Sequence, residues 1–381
     1  MSFNFFLQSD ITFGRGSILE LPGLIHRAGM NKVMIIYDEG VKSAGIAERV
    51  LEQIVAAQID YIIYDKVQPN PSNSFVEEAA AIAKENQVEG FVAVGGGSSI
   101  DLAKAANVLM TNPSPIGQYG GVGNVKNKVL PLIAIPTTAG TSSEITNVSA
   151  LIDQEAVCKY VIIDNKITPS SVIVEPEFTK TMPKSVTAAT GMDAITHAVE
   201  SYISNVASPL TEYNSIKALQ ILYRNLSKVV ENGEDMEARE QMMLGCIIAG
   251  FAFSNANLGL VHGIAHTLSA HFHLPHGIAN ASVLPYVMEY NAVSCPEKME
   301  ELAKAIGLSV TGKPSEDQYL LSQELGRLIK KLGIKTLSEQ GILEKDLEML
   351  ADEVLKEPVL NFNPRQNITK DEVLEILKKA F

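Results

Sequence analysis

Four short apolar runs alternate with helical stretches through the first half of the chain, and this alternation restricts the fold more than any other feature. The runs are Val33-Met-Ile-Ile-Tyr37, Tyr61-Ile-Ile-Tyr64, Phe91-Val-Ala-Val94 and Leu132-Ile-Ala-Ile135. Helical periodicity fills the intervals over about residues 41–57, 72–86 and 98–110. Strands spaced by helices in this way predict a parallel sheet covered on both faces. Two further extended runs flank a polar turn over residues 148–163, which predicts a hairpin. From about Thr187 the period becomes helical and stays so, in segments such as residues 208–231, 236–255, 315–332 and 369–381. The last opens on Thr369 with Glu372 three residues on, the signature of a capping box. Thr179-Lys-Thr-Met-Pro183 breaks the pattern, so the expected division is an α/β domain over residues 1–183 and an all-helical domain over residues 184–381.

Charge and cysteine usage exclude several classes of function. The 381 residues carry 31 Lys and Arg against 44 Asp and Glu, a formal net charge of −13. Such a chain repels phosphate backbones and anionic membrane surfaces before contact, so neither nucleic acid nor membrane is an expected partner. Cys158, Cys246 and Cys295 lie far apart in no metal-binding spacing, which argues against a disulfide framework and a thiolate zinc site. The N-terminus, Met-Ser-Phe-Asn-Phe-Phe, has no basic start and no apolar run of signal-peptide length. A cytoplasmic protein is expected. Residues 241–288 contain no Asp, Glu, Lys or Arg, yet they hold five His with repeated Asn, Ser and Gly. That composition predicts buried protein interior and not a lipid-facing span.

The run Phe91-Val-Ala-Val94 leads into Gly95-Gly96-Gly97-Ser98 and then a helical segment with Asp101 and Lys104. Glycines at a strand-to-helix turn let backbone N–H groups approach a pyrophosphate, whose charge the helix N-terminus favours. A tight turn that binds nothing uses the same residues, and the full GxGxxG spacing is absent. Asp38 ends the first of the four runs, where a carboxylate either accepts from an adenosine ribose or merely closes a turn. As a ribose acceptor it favours NAD over NADP, because a 2′-phosphate would meet like charge. The segment from Thr137 to Ser143 carries five hydroxyl residues, suited to ribose or phosphate contacts or to simple turns and caps.

Five of the seven His are His262, His266, His271, His273 and His276, inside the uncharged segment. His197 follows Asp193 by four residues in a helical context, which puts a carboxylate and an imidazole on one face. His262 and His266 share that spacing. A lone His is more often a hydrogen-bonded core residue, but five imidazoles in an apolar stretch without acids would each need a neutral buried partner. The cluster therefore predicts a metal site of nitrogen and oxygen donors, which suits divalent iron or zinc without selecting between them.

Together, Gly95-Gly-Gly-Ser-Ser-Ile-Asp101-Leu-Ala-Lys104, Pro136-Thr-Thr-Ala-Gly-Thr141, Gly191-Met-Asp-Ala-Ile-Thr-His197-Ala-Val-Glu200, Gly259-Leu-Val-His262-Gly-Ile-Ala-His266 and Pro275-His-Gly277 resemble the iron-containing (group III) alcohol dehydrogenase family. The match runs on to Asn363-Pro-Arg365. The resemblance implies a dehydroquinate synthase-like fold, with a Rossmann-like domain binding NAD(P), a helical domain holding the metal and a cleft between them. It implies Asp193, His197, His262 and His276 as metal ligands, and His266 as a further histidine near metal and nicotinamide. The implied cofactor positions are Asp38, Asn70, Gly95, Gly96, Gly97, Ser98, Thr137, Thr138, Thr141 and Lys159. Ser142 replaces the more usual Gly of the hydroxyl-rich loop, and Glu175-Pro176 stands where Asp-Pro is common.

The implied reaction is reversible hydride transfer between a small primary alcohol or diol and NAD, with Fe2+ or Zn2+ as Lewis acid toward the alcohol oxygen. His266 either relays the alcohol proton or orients a ligand. Uncharged walls favour a small neutral alcohol or aldehyde. A homodimer or higher homo-oligomer is implied by the resemblance alone. Two rivals remain at this level. A metal- and NAD-dependent lyase or cyclase on a sugar phosphate would need several Lys and Arg beside the metal, and the His-bearing segment has none. A non-catalytic metal-binding module would leave the glycine turn and hydroxyl loop without a role.

Overall fold

The apolar runs of the first half form parallel strands, in a computed structural model that describes residues 2–154 and 158–381. In chain order the strands are β1 (Asp10–Phe13), β2 (Lys32–Asp38), β3 (Asp60–Val67), β4 (Gly90–Gly95), β5 (Gly121–Val122), β6 (Leu132–Pro136), β7 (Val148–Asp153), β8 (Cys158–Ile163) and β9 (Ser171–Val174). Among them run helices α1 (Leu21–Arg27), α2 (Glu39–Ser43), α3 (Ile46–Ala56), α4 (Asn73–Glu85) and α5 (Gly97–Thr111). Six strands pair in parallel in the order β1-β9-β6-β4-β2-β3. Residues of one strand alternate between two cores. Val33, Ile35 and Tyr37 of β2 join Val92, Val94, Ile133 and Ile135 under α1 to α3. Met34, Ile36, Phe91, Ala93 and Ala134 pack on the other face with α4 and α5. The side-chain period of two thus sorts one continuous apolar run onto two buried faces.

The chain leaves β2 for β3 on one side and returns to β4 on the other side of β2. Crevices at the carboxyl ends of such diverging strands are where open α/β sheets bind ligands. Asp38 and Gly95 are the last residues of β2 and β4. Sequence reading missed the four-residue strands β1 and β9. The helix expected over residues 41–57 is instead two, because Gly45 adopts φ 72° between α2 and α3. The expected hairpin is present, β7 pairing antiparallel with β8. Part of its turn, residues 155–157, lies outside the described residues.

Leu7–Thr181 clusters as one compact unit; Met182–Phe381, with the N-terminal residues through Phe6, clusters as the other. The second unit is built of helices α6 (Lys184–Ile203), α7 (Pro209–Glu231), α8 (Met236–Ala256), α9 (Leu260–Phe272), α10 (His276–Ala292), α11 (Pro296–Ala305), α12 (Pro314–Asp317), α13 (Leu320–Lys331), α14 (Leu347–Val354) and α15 (Lys370–Ala380). Thr369 caps α15 through the expected box with Glu372, and a second box, Ser208 with Thr211, opens α7. The segment expected as one helix over residues 315–332 breaks between α12 and α13. The uncharged segment supplies most of α8, all of α9 and most of α10, and most of its residues are buried. Among the described residues no single helix is long and apolar enough to cross a membrane; α8 and α9 meet both conditions only together, across a bend of 100°.

Candidate metal and nucleotide sites

Asp193 and His197 lie one turn apart on α6, both buried, with Asp193 Oδ1 3.8 Å from His197 Nε2. The same oxygen lies 3.9 Å from His262 Nε2 on α9 and 3.8 Å from His276 Nε2 at the start of α10. One donor atom each from Asp193, His262 and His276 fall within 4.8 Å of one another. His197 reaches Asp193 without joining that tightest group; its ring stacks on Phe253 at 4.1 Å and on His262 at 4.9 Å. Tetrahedral bonds of about 2.0–2.2 Å would place donors roughly 3.3–3.6 Å apart. The three spacings from Asp193 Oδ1 need to contract by only a few tenths of an ångström, and the imidazoles have to close in from within 4.8 Å, so these residues fit a divalent ion.

Close backbone approach makes this convergence possible. A Cβ on Gly277 would sit 2.2 Å from the carbonyl oxygen of Ala189, so only glycine lets the first turn of α10 press against α6. That contact carries His276 to Asp193. On α9, His262 is held by Glu200, which is fully buried one turn after His197. Its Oε2 lies 2.6 Å from His262 Nδ1, and its Oε1 accepts from Val261 N–H at 2.7 Å. Asn363 Oδ1 accepts from Leu260 N–H at 3.3 Å, so two side chains from elsewhere cap the start of α9. Burial raises the Glu200 carboxyl to about 7, against the lowering effect of backbone N–H groups and of His197. A carboxylate on the far nitrogen of a ligating His fixes its tautomer and raises its basicity.

His266, one turn beyond His262, is half-buried with Nδ1 3.0 Å from Glu357 Oε2. Its ring centroid lies 5.6 Å from His276 and 6.1 Å from His262. His271 and His273 stand apart from the cluster and are exposed, His273 ending α9 at φ 55°. Sequence reasoning assigned no role to Glu200, Glu357 or Asn280. Glu200 was findable, being an acid three residues after His197 on the same helix. Glu357 had no local signal, because its partner is 91 residues away.

In the other unit the glycine turn is shaped around its neighbours. Gly95 has φ 148°, and a Cβ there would meet Ser99 Oγ at 2.4 Å. A Cβ on Gly96 would come within 3.3 Å of Thr138, and one on Gly97 within 3.1 Å of Thr141. Thr137 N–H donates to Gly95 O at 3.0 Å. Asn70, at φ 53°, donates its N–H to Ser98 Oγ at 3.2 Å. Asp38 Oδ1 accepts from Val41 N–H at 2.9 Å as the cap of α2, and Ser99 Oγ donates to its Oδ2 at 3.4 Å. The ribose acceptor and the turn carboxylate are therefore compatible readings of one residue. Lys159 pairs across the hairpin with Ile152, whose N–H donates to Pro71 O at 2.9 Å, next to Asn70. The expected cofactor positions other than Lys159 thus belong to the turn at β4 or to segments bonded or packed against it, and Lys159 is linked to it only through Ile152 and Pro71.

A buried polar network holds the hydroxyl-rich loop. Lys104 Nζ donates to Ser143 O at 2.6 Å, Val148 O at 2.7 Å and Thr146 Oγ1 at 3.1 Å, while Ser143 Oγ donates to Asp101. Burial pushes Lys104 down to about 8 and Glu144 up to about 7, although their mutual attraction opposes both shifts. Ser142 adopts φ 52°, a left-handed conformation that glycine takes without the Cβ strain. Glu175 ties the end of β9 to the segment after β1, accepting from Gly16 N–H at 2.7 Å.

Residues 8–176 match the family model described as iron-containing alcohol dehydrogenase, and residues 187–381 match the Fe-containing alcohol dehydrogenase family, C-terminal. The chain is 36% identical to an NAD-dependent methanol dehydrogenase of Bacillus methanolicus, over 99% of each chain. It is 35% identical to a 1,3-propanediol dehydrogenase of Klebsiella pneumoniae, covering 100% of this chain and 99% of that one. A solved 1,3-propanediol oxidoreductase superposes with a TM-score of 0.97 at 35% identity, covering 100% of both chains.

Proposed function

Since the chain belongs to the iron-containing alcohol dehydrogenase family and is an NAD-dependent oxidoreductase, we propose that it interconverts a small neutral primary alcohol or diol with its aldehyde. We assign Asp193, His197, His262 and His276 as the donors for one divalent ion. The observation that carries this reading is the convergence of Asp193, His262 and His276 within 4.8 Å. When bound, the ion supplies Lewis acidity toward a substrate oxygen, and NAD supplies the hydride acceptor.

The chain's own residues do the rest. Glu200 holds His262 in the tautomer that leaves Nε2 free of a proton for binding. Gly95 to Ser98, with Thr137, Thr138 and Thr141, offer backbone N–H groups and hydroxyls to the dinucleotide phosphates, and Asp38 and Asn70 flank that turn. His266, paired with Glu357, holds or moves the alcohol proton. Residues 241–288 present no Lys or Arg to a substrate anion. That absence favours a neutral substrate over a sugar phosphate, whose charge would go unpaired.

A panel of aldehydes assayed with NADH on iron-loaded protein tests the proposal. Neutral short-chain aldehydes should be reduced with the highest kcat/KM and carboxylate- or phosphate-bearing ones should be poor substrates. A preference for the anionic members would overturn the substrate class while leaving the family intact.

A further inference from the structure

Asn280 lies one turn after His276 on α10 and is fully buried. Its Nδ2 is 2.7 Å from Asp193 Oδ1, 3.2 Å from His262 Nε2 and 3.3 Å from His276 Nε2. A carboxylate oxygen only accepts, so the amide must turn its nitrogen toward Asp193. Its Oδ1 has no hydrogen-bond partner among the described residues. Leaving a fully buried acceptor unmatched is uncommon and costly. The side chain bears that cost while directing its N–H groups at three atoms of the proposed donor set.

The count of hydrogens decides what those contacts mean. Nδ2 carries two hydrogens for three acceptors. The shorter contact takes one for Asp193, and the two imidazoles share the other. Each accepting imidazole nitrogen has a single in-plane lone pair, the same one a divalent ion requires. His262 turns its other nitrogen to Glu200, so Nε2 is the atom left for either partner. Asp193 Oδ1 has more than one lone pair and can keep Asn280 while it binds an ion.

We propose that Asn280 is an internal competitor for the metal: its amide N–H and a divalent cation claim the same lone pairs on His262 and His276. The proposal rests on the metal reading of the donor set given above. Asn280 keeps the buried imidazole of His262 and the partly buried one of His276 satisfied when no ion is bound, and an ion must displace that shared N–H. Metal affinity is therefore set below what the four donors alone would give. Removing the amide takes the shared hydrogen bond from the metal-free protein only. The bond to Asp193 is lost from both forms and cancels.

Titration of chelator-stripped full-length protein with Co2+, followed by its visible absorption, tests this in wild type, Asn280→Ala, Asn280→Ser and His276→Ala. Loss of one shared hydrogen bond from the metal-free form predicts about fivefold tighter Co2+ binding in both Asn280 variants. Their Tm should fall further in chelator than in saturating Co2+. Serine keeps a polar group but is too short to span two imidazoles, so it carries the comparison if the alanine variant does not fold. Equal or weaker Co2+ binding by the Asn280 variants overturns the competition and leaves Asn280 as a support for Asp193. Undiminished binding by His276→Ala would overturn the metal reading itself.

Discussion

Asp38 shows how one residue serves fold and function together. Its Oδ1 is used as the cap of α2, while its Oδ2 faces Ser99 beside the glycine turn. Asp38→Gly should cost only a few tenths of a kcal/mol as a cap change, yet it removes the charge that opposes a 2′-phosphate. The ratio of kcat/KM for NADH over NADPH should fall by about tenfold or more; an unchanged ratio would reduce Asp38 to a cap. His266 poses a different question, because its polar partner is Glu357 and its ring lies against the neighbouring imidazoles. His266→Ala should retain its metal but lose turnover, with the deficit in alcohol oxidation narrowing at high pH, where deprotonation needs less help. Loss of metal would make His266 a ligand, and an equal loss of rate at every pH would make it an orienting residue. A metal site of nitrogen and oxygen donors was legible because i, i+4 spacing and an uncharged context are local signals, while the choice of Asp193, His197, His262 and His276 came from the family resemblance. Glu357 and Asn280 were not legible: the first acts across the chain, and the second is an ordinary amide until three acceptors surround it.

At the scale of elements, the strand-turn-helix unit of β4 and α5 carries the nucleotide reading. Gly95→Ala would force a Cβ to 2.4 Å from Ser99 Oγ in addition to the strain of φ 148°. Gly29, at φ 73° with nothing within 4 Å of its added Cβ, supplies the control. Both variants should lose stability, Gly29→Ala by about 1 kcal/mol and Gly95→Ala by about 1–3 kcal/mol more. Only Gly95→Ala should also weaken NADH binding, measured by fluorescence titration. Parallel weakening in both would mean that the turn has no special part in binding. The strands β2, β4 and β6 were legible because each is a continuous buried run, and α15 because its cap is written in Thr369 and Glu372. β1 was not, since Asp10-Ile-Thr-Phe13 is no continuous apolar run and is partly exposed. Nor was the interruption at Gly45, where one left-handed residue ends a helix whose apolar pattern continues beyond it.

Across the whole molecule, the two proposed halves of the chemistry belong to different compact units: the nucleotide positions to Leu7–Thr181 and the metal donors to the helical unit. Sequence showed this division as a change of period near Thr187, but not that the N-terminal residues through Phe6 cluster with the helical unit. That association is made by Asn255, whose Oδ1 accepts from Phe6 N–H at 2.6 Å, a pairing no local pattern could announce. The account depends above all on the helical unit holding a catalytic ion through residues that converge only in the fold. The most direct measurement is elemental analysis of protein reconstituted with Fe2+ and desalted, comparing wild type, His276→Ala and His271→Ala. About one ion per chain is expected for wild type and His271→Ala, and almost none for His276→Ala, because a four-donor site cannot replace a lost imidazole. Full metal content in His276→Ala would contradict the account at its centre.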